Sequence, residues 1–217
     1  MLSVRMREPD LLTRLIQEAL TGELPGLSAQ MLMAQPRRQT VPGPNDHPRD
    51  SAVLALLHMV EGELSIAFTL RPTSLHHHGG QISFPGGRRE PRDTSCEETA
   101  LRETSEELGI STRDVRILGE MTPLFISSSQ HLVHPYVGWV TCLPTLQPNP
   151  SEVARVLQIP VSSLLSPASQ DLYARKKHGQ TISYPCYRAG DDVIWGATAM
   201  MLRELLEIIR GIAHQLP

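Results

Sequence analysis

Apolar residues recur every three or four positions in two parts of the chain, residues 11–20 and residues 197–212. This spacing is typical of helices that bury one side and expose the other. Gly22, or the pair Pro25-Gly26, ends the first helix, because glycine and proline interrupt helical backbone. The buried side of the second helix is expected to contain Met201, Leu202, Leu205, Leu206 and Ile209.

Shorter apolar runs between these two helices predict β-strands. Residues 52–60 and 64–71 are separated by Glu61-Gly62-Glu63, which is the pattern of a hairpin. Residues 95–108 form a third helical run, and Gly109 stops it. Further short strands are expected at residues 81–84, 115–119, 135–142, 181–187 and 192–195. This mixture of hairpins and helices predicts an α/β (α+β) fold with helices around a mixed sheet.

Residues 35–50 contain four prolines among polar residues. Such a composition is typical of a linker or an extended arm. We therefore divide the chain into an N-terminal helix with a proline-rich arm, residues 1–50, and a main domain, residues 51–217. The length of 217 residues fits one domain with an extension.

The charges of the chain nearly balance, with 20 lysine and arginine residues against 23 aspartate and glutamate residues. A partner that needs bulk positive charge is therefore disfavoured, and we expect no nucleic-acid partner. Three cysteines that lie far apart in the sequence argue against a disulfide framework and fit a reducing compartment. No apolar run reaches the length of a membrane span. We expect a cytoplasmic location and no membrane partner.

The helix at residues 95–108 carries the most informative charges. Around its axis, Glu106 lies about 60° to one side of Glu103, and Glu107 lies about 40° to the other. These carboxylates form either a solvated acidic face or a site for a hard divalent cation such as Mg²⁺. Their repulsion costs on the order of a few tenths of a kcal/mol per pair. No lysine follows four residues later to relieve it.

A glycine-rich segment, Phe84-Pro85-Gly86-Gly87, lies upstream of this helix. Paired glycines let the backbone approach a metal ion or a phosphate closely. Alone, the segment is also the pattern of an ordinary turn. A glycine loop followed about fifteen residues later by an acidic helix is more specific than either part.

The loop and the helix together resemble the Nudix box of the Nudix hydrolases. The matching positions are Gly87, Arg102, Glu103, Glu106, Glu107, Gly109 and Ile110. Asp93 stands where the box usually has a glutamate, and the gap from Asp93 to Arg102 is one residue longer than usual. Thr104 stands where an apolar residue is commoner.

The same departures resemble one branch of this family, the coenzyme A pyrophosphatases. The signature of that branch matches Phe68-Thr69-Leu70-Arg71, Leu75, His78 and Gly80-Gln81, followed by Phe84-Pro85-Gly86-Gly87. His76 stands where the branch usually has arginine, which exchanges a permanent charge for a titratable ring. The resemblance covers roughly residues 50–210.

The resemblance implies a Nudix-type α/β/α sandwich with a mixed β-sheet between helices. It also implies hydrolysis of coenzyme A (CoA), or of an acyl-CoA, to 3′,5′-ADP and 4′-phosphopantetheine, with Mg²⁺ or Mn²⁺ as cofactor. Divalent cations suit this reaction because they screen the charge of the diphosphate and lower the pKa of bound water.

Roles for individual residues follow from the same resemblance. Arg102 is expected to hold Glu103 in position. The general base is either a glutamate of the box or Glu152 from a later loop. Glu152 is explained equally well as an ordinary solvent-exposed acid of that loop. The expected metal ligands are Glu103, Glu107, Glu106 and a backbone carbonyl of Gly86 or Gly87. The expected substrate contacts are Arg71, His76, His78 and Gln81. Without metal, three close carboxylates should raise the pKa of at least one.

Three alternatives stay open. The His76 substitution leaves room for another nucleoside diphosphate derivative, such as an ADP-sugar or a dinucleotide. A Nudix-fold binding module is a second alternative, although such modules usually lose glutamates of the box, and all are present here. A structural acidic helix in an unrelated protein is the third. The N-terminal helix either packs on the main domain or contributes to a homodimer.

Overall fold

The computed structural model describes residues 9–74, 78–177 and 179–215, so the predicted substrate residue His76 lies outside the described residues. Within these ranges the chain forms five α-helices and eleven β-strands. The helices are α1 (Pro9–Thr21), α2 (Gly26–Met31), α3 (Cys96–Leu108), α4 (Val161–Leu165) and α5 (Gly196–Ile212). The strands are β1 (Arg49–Val60), β2 (Glu63–Leu70), β3 (Ile82–Ser83), β4 (Gly86–Arg88), β5 (Arg116–Glu120), β6 (Leu124–Ile126), β7 (His131–Trp139), β8 (Arg155–Pro160), β9 (Gln170–Lys177), β10 (Gln180–Ala189) and β11 (Asp192–Trp195).

Eight of the strands form one mixed sheet. Its main order is β3-β2-β1-β7-β5, and β4, β6 and β8 pair with β1, β7 and β2 respectively. Strands β1 and β7 are parallel, and the other pairs are antiparallel. Strands β9, β10 and β11 form a second, antiparallel sheet. The two hairpins predicted from the sequence, β1–β2 and β10–β11, are present.

Strand β1 is buried on both faces and separates two hydrophobic clusters. Ala52, Leu54 and Leu56 point to the side covered by α3, while Ala55 and Leu57 point to the side covered by α1 and α5. This alternation follows from the two-residue period of a strand. Helices therefore cover both faces of a mixed sheet, and the predicted Nudix-type sandwich is confirmed.

The N-terminal helix α1 is part of the main core. Leu12, Leu15 and Ile16 are buried in the same cluster as the apolar side of α5. The fully buried Glu204 of α5 accepts hydrogen bonds from both the amide and the hydroxyl of Thr122, and from Gln30 of α2. The first option for the N-terminal helix, packing on the domain, is the arrangement observed.

Several short elements carry no clear sequence pattern. The sequence of the segment Phe84-Pro85-Gly86-Gly87 is typical of a loop, but Gly86–Arg88 forms a strand that pairs with β1. Residues 35–48 form turns, and the amide of Phe125 donates to the carbonyl of Thr40, so the arm lies against β6. Strands as short as these depend on the partner beside them rather than on their own residues. Across the part of the chain that the structure describes, no helix is long and apolar enough to cross a membrane.

Candidate functional site

Helix α3 begins and ends at residues whose side chains or backbone suit those positions. Ser95 precedes the first turn, and its hydroxyl accepts a hydrogen bond from the amide of Glu98 at 3.1 Å. Gly109 follows the last turn with a φ of 70°, a conformation that glycine adopts without strain. These two local signals set the boundaries of the helix, which match the prediction.

The acidic side of α3 is solvated at Glu106 but not at Glu107. Glu107 is only 2% exposed, because α3 lies across strand β1 and the glycine strand β4. Its Oε1 lies 3.9 Å from Nη1 of Arg71. Its Oε2 is buried and has no hydrogen-bond partner among the described residues. Thr104, the unusual residue of the box, is also buried, and its hydroxyl donates to the carbonyl of Ala100 at 2.7 Å.

Three carboxylates converge at this point. One oxygen each of Glu103, Glu107 and Glu152 lies within 4.8 Å of the other two. Glu152 comes from the segment between β7 and β8, and that segment is fastened to α3. The amide of Asn149 donates to the carbonyl of Glu107, and the amide of Glu152 donates to the carbonyl of Asn149, both at 3.0 Å. The later-loop glutamate named from the sequence thus reaches the acidic helix.

Burial perturbs the ionisation of this cluster more than repulsion does. The pKa of Glu107 is raised to about 8, first because its carboxyl is buried, and also because Glu103 and Glu152 lie close, with Arg71 opposing the change. Burial also raises the pKa of Glu103, against the attraction of Arg102. The sequence predicted a raised pKa from neighbouring charges, whereas removal from water is the larger cause.

This raised pKa predicts that the metal-free protein loses stability as the pH rises from about 4.5 to about 8. In that window the folded Glu107 keeps a proton that the unfolded chain has already released, so raising the pH favours unfolding. The group contributes a slope of at most about 1.4 kcal/mol per pH unit. Urea unfolding in a chelator measures this effect, with Glu107→Gln as the variant that cannot titrate. If the difference in the free energy of unfolding between the wild type and Glu107→Gln does not change with pH, the prediction is contradicted.

Arg102 holds the glutamates of the helix through a bidentate pair with Asp93. Its Nε and Nη2 each donate to a carboxylate oxygen of Asp93 at 2.8 Å, and its Nη1 donates to Glu103 Oε1 at 3.0 Å. The Asp93 carboxylate is buried, and the guanidinium of Arg102 holds its pKa well below the usual range. The sequence identified Asp93 only as a departure from the family pattern. Its role as the partner of Arg102 became visible in the structure.

Glu106 lies apart from the three converging carboxylates. It is exposed, and its two oxygens accept hydrogen bonds from Arg102 at 3.1 Å and from Arg92 at 3.2 Å. The metal-binding role expected for Glu106 stays a prediction, and in this structure its carboxylate pairs with Arg92 and Arg102. Arg102 lies four residues before Glu106 on the same helix, a spacing that the sequence shows, whereas Arg92 comes from the segment before the helix.

Gly87 lies directly against the carboxylate of Glu103. A Cβ atom at this position would come within 2.5 Å of the Glu103 carboxylate, so any side chain would displace it. At Gly86, where φ is 148°, a Cβ would lie 2.3 Å from the carbonyl oxygen of Ala52. The two glycines are therefore required by the close approach of strand β4 to β1 and α3. The metal contact predicted for a glycine carbonyl stays a prediction.

Three of the predicted substrate residues, Arg71, His78 and Gln81, lie close to this cluster or to one another. The amide of Arg71 donates to the carbonyl of Gln81, and the amide of Gly80 donates to the carbonyl of Arg71, each at 3.0 Å. These bonds close the loop at its base. The side chains of His78 and Gln81 also interact, since Nδ1 of His78 lies 2.9 Å from Oε1 of Gln81. Arg71 faces Glu107, and its Nε is buried without a hydrogen-bond partner among the described residues.

The cluster fits a divalent metal ion. Three carboxylates supply hard oxygen ligands, and the buried, unpartnered Oε2 of Glu107 is an acceptor that a cation would satisfy. Among the described residues, two arginines lie beside these three carboxylates: Arg71 lies 3.9 Å from Glu107, and Arg102 lies 3.0 Å from Glu103. Glu103, Glu107 and Glu152 are therefore the residues that could hold such an ion.

Comparison with known proteins identifies the family of the chain. The NUDIX domain model matches residues 48–180, which is more than half of the chain. The chain is 35% identical over 166 residues to the uncharacterized Nudix hydrolase NudL of Photorhabdus laumondii, and the match covers 76% of this chain and 88% of that protein. The identity to the uncharacterized Nudix hydrolase NudL of Yersinia pestis is 36% over 147 residues, which is 67% of this chain and 72% of that protein.

Solved structures support the fold. The Nudix hydrolase RenU of M. smegmatis aligns with a TM-score of 0.52 at 16% identity, covering 76% of this chain and 87% of that chain. A MutT/nudix family protein of Enterococcus faecalis aligns with a TM-score of 0.51 at 14% identity, covering 95% of this chain and 76% of that chain. With the family match, the shared fold and the intact box, the chain belongs to the Nudix hydrolase family.

Proposed function

We propose that this Nudix hydrolase cleaves the diphosphate of CoA, or of an acyl-CoA, to 3′,5′-ADP and 4′-phosphopantetheine, with Mg²⁺ or Mn²⁺ as cofactor. The observation that carries the proposal is the convergence of Glu103, Glu107 and Glu152 beside Arg71. A site with few carboxylates and a nearby arginine suits a metal ion that shares its coordination with substrate phosphates.

Each residue of the site has a distinct task in this proposal. When bound, the divalent ion screens the charge of the diphosphate and makes a water molecule more acidic. Glu103 and Glu107 hold the ion, and Arg102 orients Glu103 at 3.0 Å. Glu152 accepts the proton of the attacking water. Arg71 donates to the phosphate through its free Nε and so offsets the charge that develops on the leaving oxygen.

The choice of CoA rests on the loop that precedes the box. The residues that match the CoA branch, Arg71, His78 and Gln81, lie on one closed loop whose base is at the acidic cluster. A loop in this position can contact the nucleotide half of a substrate while its diphosphate lies at the carboxylates. The imidazole and the carboxamide supply both donors and acceptors for that half.

The direct test is incubation of the purified protein with CoA and either Mg²⁺ or Mn²⁺, followed by identification of the products by mass. Appearance of 3′,5′-ADP and 4′-phosphopantetheine, abolished by a chelator, is the expected result. An ADP-sugar and a dinucleotide are run in parallel. If either of these is cleaved while CoA stays intact, CoA is overturned as the substrate, and diphosphate hydrolysis is retained as the reaction. No cleavage of any substrate would favour a binding module.

Replacing Glu152 by glutamine separates proton transfer from metal binding. As the general base, Glu152 should contribute about 10²–10⁴-fold to kcat. The expected result for Glu152→Gln is a fall of that order in kcat, with Mn²⁺ affinity measured by titration calorimetry close to that of the wild type. The exposed turn residue Glu61 provides a matched control, Glu61→Gln. A large loss of Mn²⁺ affinity would instead identify Glu152 as a metal ligand.

A further inference from the structure

A group of basic side chains lies where β1, β4 and β7 meet, outside the acidic cluster. Arg49 of β1 pairs with His131 of β7, and Ser51 of β1 pairs with Arg88 of β4. The hydroxyl of Ser51 is also in contact with Nδ1 of His131. Because side chains two residues apart on a strand share a face, Arg49, Ser51, Arg88 and His131 lie together on one face of the sheet. We call these four residues the basic cluster.

The two arginines of the basic cluster have no carboxylate partner. Arg49 and Arg88 line a surface pocket of about 330 Å³, and both are exposed. Within the described residues, neither guanidinium lies within ion-pair distance of a carboxylate, and the guanidinium of Arg49 donates only to the carbonyl of Ser129. The carboxylates of the pocket have other partners: Asp50 with Arg89 at 3.6 Å, Glu90 with Arg92 at 2.8 Å, and Asp93 with Arg102 at 2.8 Å.

The basic cluster adjoins the acidic site at two points. Arg88 follows Gly87, the residue against which the Glu103 carboxylate lies, and the carbonyl of Arg88 accepts a hydrogen bond from Arg102. Burial lowers the pKa of His131, and the positive charges of Arg49, Arg88 and His78 lower it further. His78 is connected to the acidic cluster through Gln81, whose carbonyl accepts a hydrogen bond from the amide of Arg71, the arginine that faces Glu107.

We propose that Arg49 and Arg88, supported by His131, form a subsite for a phosphomonoester carried by the nucleotide half of the substrate, in addition to the diphosphate. Guanidinium groups bind phosphate oxygens in a bidentate manner, and two of them without a counter-ion match the double charge of a phosphomonoester. The inference deepens the proposed function, on which it rests: in CoA, the 3′-phosphate of the ribose is the group that this subsite would take. Gly87 faces the Glu103 carboxylate and Arg88 points to the opposite face of β4. Among the described residues β4 pairs only with β1, so the acidic and basic regions meet at this edge of the sheet.

The test compares CoA with dephospho-CoA, which lacks the 3′-phosphate. For the wild type, kcat/KM should be higher for CoA, and Arg49→Gln and Arg88→Gln should each lower the ratio of the two kcat/KM values about tenfold. Arg88→Lys should restore part of the ratio, since it restores the charge without the bidentate geometry. Arg14 is exposed on α1, away from the site, and Arg14→Gln is the control that leaves the ratio unchanged. An unchanged ratio in both glutamine variants would overturn the subsite.

A binding measurement separates this inference from the proposed function. Titration calorimetry without metal compares 3′,5′-ADP with 5′-AMP, which lacks the second phosphate. Tighter binding of 3′,5′-ADP that is lost in Arg88→Gln would support the subsite even if CoA proved not to be hydrolysed, and the proposed function alone would fail. Equal affinity for the two nucleotides, together with hydrolysis of CoA, would overturn the subsite and retain the function.

Discussion

Replacing Glu107 by glutamine is expected to abolish hydrolysis while making the metal-free protein more stable. The carboxyl of Glu107 is 2% exposed and has a pKa raised to about 8. Above that pH the folded protein contains a buried charge with one arginine 3.9 Å away. Glutamine keeps the shape and removes the charge, so the free energy of unfolding should rise by roughly 2–4 kcal/mol at high pH.

The loss of activity in Glu107→Gln follows from the same substitution. A metal ligand supplies several kcal/mol of charge stabilisation in the transition state, so kcat/KM should fall by about 10³-fold or more. Stability is measured by urea unfolding in a chelator, and Mn²⁺ affinity and kcat/KM are measured on the same sample. Glu97 is an exposed acid in the first turn of the same helix, and Glu97→Gln is the matched control. Full activity in Glu107→Gln would contradict the assigned metal site.

Replacing Asp93 by alanine is expected to give the largest loss of stability at the site. The side chains of Asp93 and Arg102 are 2% and 13% exposed, and they form two hydrogen bonds of 2.8 Å. Removing one partner of a buried ion pair costs about 3–5 kcal/mol, because the other charge stays buried. The cost here should lie near the lower end, since Arg102 keeps Glu103 and Glu106 as partners.

The experiment on Asp93 also tests what Arg102 does for the metal site. If Asp93 anchors Arg102, Asp93→Ala should weaken Mn²⁺ binding as well as fold stability, because Arg102, held then only by Glu103 and Glu106, no longer fixes the position of Glu103. The variant Asp93→Asn keeps the shape and most hydrogen bonds of the side chain. Its stability and its Mn²⁺ affinity should therefore lie between those of the wild type and those of Asp93→Ala. Asp191, which is exposed in the turn before β11, provides the control Asp191→Ala. A stability loss below about 1 kcal/mol would contradict a buried, anchoring pair.

Local features of the chain could be predicted from the sequence because they depend on near neighbours. Ser95 and Gly109 bound α3, since a hydroxyl can accept the free amides of a first turn and glycine can follow a last turn. The turn Glu61-Gly62 joins β1 to β2. The spacing of Gly87, Arg102, Glu103 and Glu107 also identified the family, because that spacing is itself the pattern of the site.

Contacts between distant segments could not be predicted in the same way. Helical periodicity predicts the angle between the side chains of Glu106 and Glu107 around the helix axis, but it does not predict which residues pack against each of them. Strand β4 and the loop at Asn149 bury Glu107, whereas arginines partner Glu106 at the surface. Strands β4, β6, β8 and β9 were missed for the same reason, since their residues become strands only beside their partners.

The sequence by itself therefore determined the family, the helix that carries the acids, and most of the candidate site residues, because these are encoded in short-range spacing. The tertiary structure alone decided which carboxylates meet. It brings Glu152 to Glu103 and Glu107, and pairs Asp93 with Arg102. The physical reason is that burial and charge pairing depend on which segments pack together, and removal of Glu107 from water raises its pKa more than any neighbour in sequence does.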